Sequence, residues 1–242
     1  MSGQLSMEEA FGDSIVSFGE PHLACVLLLD TSGSMFGSAI ESLNEGIRRF
    51  KEQVSSDPVA SRRVDVAIVT FSDAVEIVSD FVPVRNMPTP ELQAYGRTEM
   101  ARGIWTAIDL VKRRTRMYAQ MGTPCHKPWI FMITDGRATS STYDMEQAGK
   151  RIRLEESKGS YGHLAFWAVG VGSYDPGQLF SLSDTNRVME LRDLNFSGIF
   201  DWLSESMSTI SQSRVGESVA FEPLPDNARK AQRDRAIDEE WY

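Results

Sequence analysis

The stretch Leu23-Ala24-Cys25-Val26-Leu27-Leu28-Leu29-Asp30-Thr31-Ser32-Gly33-Ser34 decides the fold. Seven consecutive apolar residues are too few for a helix of ordinary length and show no alternation, which is the pattern of a strand buried on both faces. The run ends abruptly in a carboxylate, three hydroxyls and a glycine, the chemistry of a ligand-facing turn. Behind it Ile40, Leu43, Ile47, Phe50 and Val54 fall on one helical stripe. Asp57-Pro58 stops that helix, because the residue before a proline avoids the helical region.

Working outward, the same alternation repeats. Val64 to Phe71 and Val75 to Val82 are β-branched runs split by Ser72-Asp73-Ala74, and read as a hairpin. Ile104, Ala107, Ile108 and Val111 mark a second helix. Pro128 to Thr134 is a further buried strand, followed by Met145, Ala148 and Ile152 on a helix. Leu164 to Val171 is another strand and Val188 to Leu191 a short one. Phe196, Ile199, Phe200, Leu203, Met207 and Ile210 form the last amphipathic stripe. The order predicts an α/β fold: a doubly wound, mostly parallel six-stranded sheet with one antiparallel edge strand and helices on both faces. Residues 21–211 form the expected domain. Residues 1–20 are read as an N-terminal leader and residues 212–242 as a charged, solvated C-terminal tail.

Composition narrows the function. The 242 residues are 41% hydrophobic and 24% charged, as in an ordinary globular chain. With 34 acidic and 25 basic residues, the net charge is −9, the wrong sign for a phosphate backbone or an anionic membrane. No apolar run approaches the ~18 residues that cross a bilayer. Met1 to Glu9 has neither a basic nor an apolar signal region, and Cys25 and Cys125 suggest no disulfide framework. The expectation is a cytoplasmic protein that binds neither nucleic acid nor membrane.

Ligands of such sheets collect at the carboxyl ends of the strands. Three loops there carry hard-oxygen groups: Asp30-Thr31-Ser32-Gly33-Ser34, then Gly96-Arg97-Thr98 entering the second long helix, then Thr134-Asp135-Gly136. Magnesium wants about six oxygens and keeps several waters. Two carboxylates, Asp30 and Asp135, roughly balance the ion and leave it electrophilic toward an outside anion. Taken singly, Asp30 and Thr98 also fit helix caps and Asp135-Gly136 fits a turn; in this order on these elements they point to a metal.

These three motifs resemble the five-part metal-ion-dependent adhesion site of von Willebrand factor A domains, and Val169-Gly170-Val171-Gly172 resembles the family's fifth-strand ending. The resemblance implies a metal held by the hydroxyls of Ser32, Ser34 and Thr98, with Asp30 and Asp135 acting largely through water. It implies Mg²⁺ (Mn²⁺ or Ca²⁺ being compatible), no catalytic residue, and an open position for a carboxylate of a partner protein. Val26 to Met35 with Gly37, Ile40, Glu41 and Asn44-Glu45-Gly46 is further similar to TerY-type bacterial domains linked to tellurite resistance. That likeness implies a stress or defence system, with a protein kinase or phosphatase as partner. Two other functions compete: a scaffold merely stabilised by metal, and a metal-dependent phosphohydrolase. The last lacks a second Asp two residues after Asp30, since position 32 is Ser, and has no His placed as a base.

Four further expectations follow. Met35-Phe36 and the Pro-rich loop from Val82 to Arg97 should form the specificity surface. Ser141-x-x-Asp144 is a capping box. Lys112-Arg113-Arg114 with Arg116 reads as a solvated helix face. Trp105, Trp129, Trp167 and Trp202 read as core.

Overall fold

The computed structural model describes residues 19–158, 164–183 and 187–231; most of the leader lies outside them. Seven strands form one sheet in the order β3-β2-β1-β4-β5-β6-β7. They are β1 (Leu23–Asp30), β2 (Val64–Phe71), β3 (Val75–Pro83), β4 (Trp129–Thr134), β5 (Ala165–Val171), β6 (Val188–Leu191) and β7 (Ala228–Lys230). β2, β1, β4, β5 and β6 run parallel. β3 is antiparallel at one edge, as the hairpin requires. The mostly parallel architecture agrees with the sequence reading.

The strand count does not, because Ala228–Lys230, within the stretch read as tail, adds an antiparallel strand at the other edge. Its register places Arg229 opposite Glu190, and the guanidinium bonds that carboxylate at 2.9 Å.

The helices are α1 (Ser38–Ser56), the single turn α2 (Ala60–Arg63), α3 (Met100–Gln120), α4 (Thr142–Ser157), α5 (Pro176–Leu182) and α6 (Ser197–Gln212). β1 shows why both faces are covered. Leu23, Cys25, Leu27 and Leu29 pack with Leu43, Ile47 and Phe50 of α1 and Phe200 and Leu203 of α6. Ala24, Val26 and Leu28 pack with Ile104 and Ile108 of α3 and Ile152 of α4 on the other face. Successive side chains of a strand point to opposite faces, so the uninterrupted apolar run is what two helical layers demand. Each fully buried Leu contributes about 1.5–3 kcal/mol relative to exposure.

The ends are set locally. Asp57 Oδ1 accepts from the Val59 and Ala60 amides at 2.8 and 3.0 Å, closing the turn after α1. Ser141 caps α4 by accepting from the Asp144 amide at 3.1 Å, as its spacing predicted.

Two expectations fail on packing grounds. Arg114 is not on a solvated face: it is buried, pairing with Asp65 at 3.0 Å and donating to the Tyr118 hydroxyl at 3.1 Å. His22 Nδ1 meets the same Asp65 oxygen at 2.8 Å, and the Tyr118 hydroxyl donates to it as well. The part of the tail that is described is not free of the domain either. Phe221 packs edge-on against Trp129, ring centres 5.4 Å apart, and Trp202 Nε1 donates to the Glu222 carbonyl at 2.9 Å. Trp129, Trp167 and Trp202 are core, as read, whereas Trp105 is only partly buried.

Candidate metal centre

The sheet reverses its order between β1 and β4, and a crevice opens where two neighbouring strands send their connections to opposite faces. Register pairs Leu29 with Ile133, so Asp30 and Thr134 end the two strands side by side. The Thr134 hydroxyl donates to Asp30 Oδ2 at 2.5 Å, and the Ser32 amide donates to Oδ1 at 2.8 Å. Both oxygens of this fully buried carboxylate are thereby aimed.

From Asp30 the cluster climbs outward. The Ser32 and Ser34 hydroxyls lie 3.0 Å apart, and Ser34 donates to Asp135 Oδ1 at 2.7 Å. Ser32 is buried, Asp135 nearly so, and Ser34 exposed. The β-carbon position of Gly136 lies 3.2 Å from the Ser34 hydroxyl and 3.7 Å from that of Thr98, so the third loop meets the other two at one point. All five predicted residues are thus brought to one edge of the sheet.

The loop carrying Thr98 is pinned by backbone. Gly33 N–H donates to the Gly96 carbonyl at 3.0 Å and Tyr95 N–H to the Thr31 carbonyl at 2.8 Å. Gly96 adopts φ +72°, and a β-carbon there would sit 2.3 Å from an Asp73 carboxylate oxygen, so only glycine fits. Asp73 in turn accepts from the Arg97 amide at 2.9 Å. Thr98 is clamped on its other side: its amide donates to Thr139 Oγ1 at 3.1 Å and its carbonyl accepts from the Thr139 amide at 2.9 Å.

Electrostatics make the pocket cation-seeking. Burial pushes Asp30 up to about 6, opposed by its hydrogen bonds to Ser32 and Thr134 and reinforced by the negative charge of Asp135. Burial also raises Asp135, and the Ser34 hydrogen bond partly offsets it. No cationic side chain is among the causes acting on either carboxylate. Arg97 and Arg137 stand close by in sequence but point outward, with about four-fifths of each side chain exposed.

The donor set fits a small hard cation. In an octahedron of oxygens ~2.1 Å from the ion, adjacent oxygens are about 3 Å apart. The Ser32–Ser34 and Ser34–Asp135 separations of 3.0 and 2.7 Å match such edges. Among the described residues no group of three or more His, Cys, Asp or Glu could hold a metal, so thiolate- or imidazole-rich coordination has no counterpart here.

Sequence reading assigned roles to the five oxygen residues but none to Thr134, Thr139 or Ser140, which order the strand end and loops around them. Ser140 Oγ accepts from the Ala101 amide at 3.2 Å, satisfying the start of α3. The hydroxyl run Thr139-Ser140-Ser141 after Asp135 is the signal that could have found Thr139 and Ser140. The expectation for Met35-Phe36 needs correction by half: Met35 is fully buried under the turn, and Phe36 alone is presented, 81% exposed. In the loop before Thr98, Met87 is buried and Leu92 is tied to Asn44 by two 2.9 Å hydrogen bonds. Tyr95 is the exposed aromatic there.

An open α/β sheet with an oxygen-rich cluster at its switch point defines a ligand-binding domain of the Rossmann-like kind. More narrowly, residues 25–202 match the von Willebrand factor type A domain, and the chain belongs to that family. Among curated proteins no relative matches. Solved structures share the fold at low identity. The pilus adhesin SpaC of Lactobacillus rhamnosus GG is 12% identical, with a TM-score of 0.63 over 78% of this chain and 31% of that one. Proximal thread matrix protein 1 from the mussel byssus is 15% identical, with a TM-score of 0.53 over 78% of this chain and 49% of that one. The vWF domain of the type V pili tip protein Mfa5 from Porphyromonas gingivalis is 15% identical, with a TM-score of 0.53 over 84% and 99% of the two chains. The chain spans about half of the byssus protein and a third of the adhesin.

Proposed function

We propose that this protein is a divalent-cation-dependent protein-binding module. Ser32, Ser34 and Thr98 would hold the ion through their hydroxyls, with Asp30 and Asp135 behind them, and the ion would attract a carboxylate of a partner protein. The observation that carries this reading is the oxygen line Ser32–Ser34–Asp135, drawn from two loops a hundred residues apart and spaced as octahedron edges, with Asp30 fixed behind it by the Ser32 amide. Bound there, the cation would be roughly balanced by the two carboxylates and would stay electrophilic toward an incoming anion. Mg²⁺ is the favoured ion by donor type, and Mn²⁺ and Ca²⁺ share that chemistry.

The partner is read as another cytosolic protein, a kinase or phosphatase of the same stress or defence system, on the strength of the TerY-like stretch from Val26 to Gly46. A binding role is favoured over hydrolysis because Ser32 stands where a second acid would be needed, and its hydroxyl is engaged with Ser34. It is favoured over a purely stabilising metal because the ligand line passes through exposed Ser34, two residues from exposed Phe36.

The test is an affinity capture from native lysate with and without EDTA, comparing wild type with Asp30→Ala, alongside calorimetric titration with Mg²⁺ and Mn²⁺. EDTA and the substitution should abolish capture equally. Wild-type metal affinity in the variant would end the metal assignment, and capture indifferent to EDTA would end the binding role.

A further inference from the structure

The opposite pole of the sheet holds a cavity of about 700 Å³, within the range of small-molecule sites. It lies where β4 begins and α3, α4 and α6 end. β4 has six residues, so its rise alone puts about 17 Å between this cavity and the metal centre. Its floor is apolar: Trp129, Leu164, Ile210 of α6 and Phe221 after that helix contribute.

The rim is basic on an acidic protein. Lys112 and Lys158 line it, but both are tied to Glu155, at 3.0 and 2.7 Å. Arg116 and Lys127 line it without any hydrogen bond or ion pair to a described residue. Helix-end charge complementarity accounts for neither: Arg116 lies before the last turn of α3, which holds no basic residue, and Lys127 lies in the loop before β4. Partial desolvation and, secondly, the charge of Arg187 hold the ammonium of exposed Lys127 below its ordinary value, against the attraction of Glu156. Lining charges sum to four cations, Lys112, Arg116, Lys127 and Lys158, against Glu155 and Glu217.

We propose that this cavity binds an amphipathic organic anion, its apolar or aromatic body against Trp129 and Phe221 and its acid group between Arg116 and Lys127. The juxtaposition of an aromatic floor with two exposed cations that make no hydrogen bond or ion pair to a described residue carries the proposal. It stands independently of the metal reading, since the two sites share no residue.

The full chain is titrated with 8-anilinonaphthalene-1-sulfonate, an aromatic sulfonate, following dye fluorescence and energy transfer from tryptophan. Decanoate then serves as competitor, with decanol and inorganic phosphate testing tail and headgroup alone. Saturable 1:1 binding is expected, displaced by decanoate at least tenfold more effectively than by either control. R116E combined with K127E, both at exposed positions, should weaken dye binding tenfold or more while circular dichroism stays unchanged. Val215→Trp, narrowing the wall, should do the same by volume. Asp30→Ala should bind the dye as wild type does. No saturable binding, displacement by decanol equal to that by decanoate, or undiminished binding in the double variant would each overturn the proposal.

Discussion

Ser34 and Asp135, 101 positions apart in the chain, are joined by a 2.7 Å hydrogen bond at the mouth of the sheet crevice. The pairing of β1 with β4 delivers Asp135, and the turn after Asp30 delivers Ser34. A fold that slipped by one residue between these strands would exchange every inward and outward side chain and lose the pair.

Asp30 should therefore separate binding from folding. Replacing it by Asn keeps the shape and the acceptor for the Ser32 amide but removes a buried charge. In the metal-free protein that charge is costly, since its carboxyl is displaced from 3.8 to about 6. We expect Asp30→Asn to melt no lower than wild type without metal, and a few degrees higher at pH 7.5. The rise in melting temperature on adding millimolar Mg²⁺ should vanish. Differential scanning calorimetry with Mg²⁺ and with EDTA reads both effects; a retained Mg²⁺ increment would show that Asp30 does not support the ion.

Acidity should govern the same increment. A carboxyl whose folded value lies above its unfolded one is protonated more readily in the native state, so its ionisation destabilises the metal-free fold as pH rises between the two values. A cation needs the ionised form and reverses that cost. Mg²⁺ stabilisation is thus expected to be small at pH 5, to grow through about pH 6 and to level off by pH 7.5. Melting curves at half-unit steps check it, and an increment independent of pH would contradict the role of Asp30.

Much of this could be read from the chain alone, and what could not has physical reasons. Continuous apolar strands announce themselves, as does a carboxylate that ends one. α5 was missed because its seven residues start at Asp175-Pro176-Gly177, which reads as a turn; Asp175 in fact caps it by accepting from the Gln178 amide at 3.1 Å. β7 was missed because Ala228-Arg229-Lys230 has no strand pattern and exists only as a partner for β6. Arg114 was misread through its neighbours' charges, although its spacing from Val111 and Tyr118 puts it on the buried stripe and Asp65 interrupts an otherwise apolar strand. A pairing between distant charges leaves no local trace in either segment.

That buried group should be a stability centre with no bearing on metal. Asp65 receives His22, Arg114 and Tyr118. Asp65→Ala would leave a guanidinium buried without its anion, at a cost of about 3–5 kcal/mol. Urea denaturation should show this loss while Mg²⁺ affinity of the folded fraction is kept. A loss under 1 kcal/mol would mean that the cluster is dispensable.

Gly136 tests the crowding at the site's centre. A methyl there would lie 3.2 Å from the Ser34 hydroxyl, closer than comfortable contact but not a collision. Its backbone φ is not among the positive ones, so alanine is tolerated by the main chain. We expect Gly136→Ala to change folding stability by less than about 1 kcal/mol while weakening Mg²⁺ binding tenfold or more by pushing Ser34 from its line. Calorimetric titration at pH 7.5 decides, and unchanged affinity would place the ion away from Ser34.

Phe36 tests where a partner touches. Its neighbour Met35 is sealed in the core and fixes the turn, whereas the Phe36 ring is 81% exposed and anchored only through its backbone, the amide donating to the Gly33 carbonyl at 3.2 Å. Truncation to Ala removes little that the fold uses, so the melting temperature should hold. An exposed aromatic beside a charged centre is, however, the usual make-up of a binding hot spot, where truncation costs more than 1 kcal/mol. Partner capture should weaken at least fivefold with metal affinity unchanged, and quantitative pull-down against Phe36→Ala at fixed Mg²⁺ measures it. Equal capture by the variant would move the contact surface to Tyr95 and the loop before Thr98.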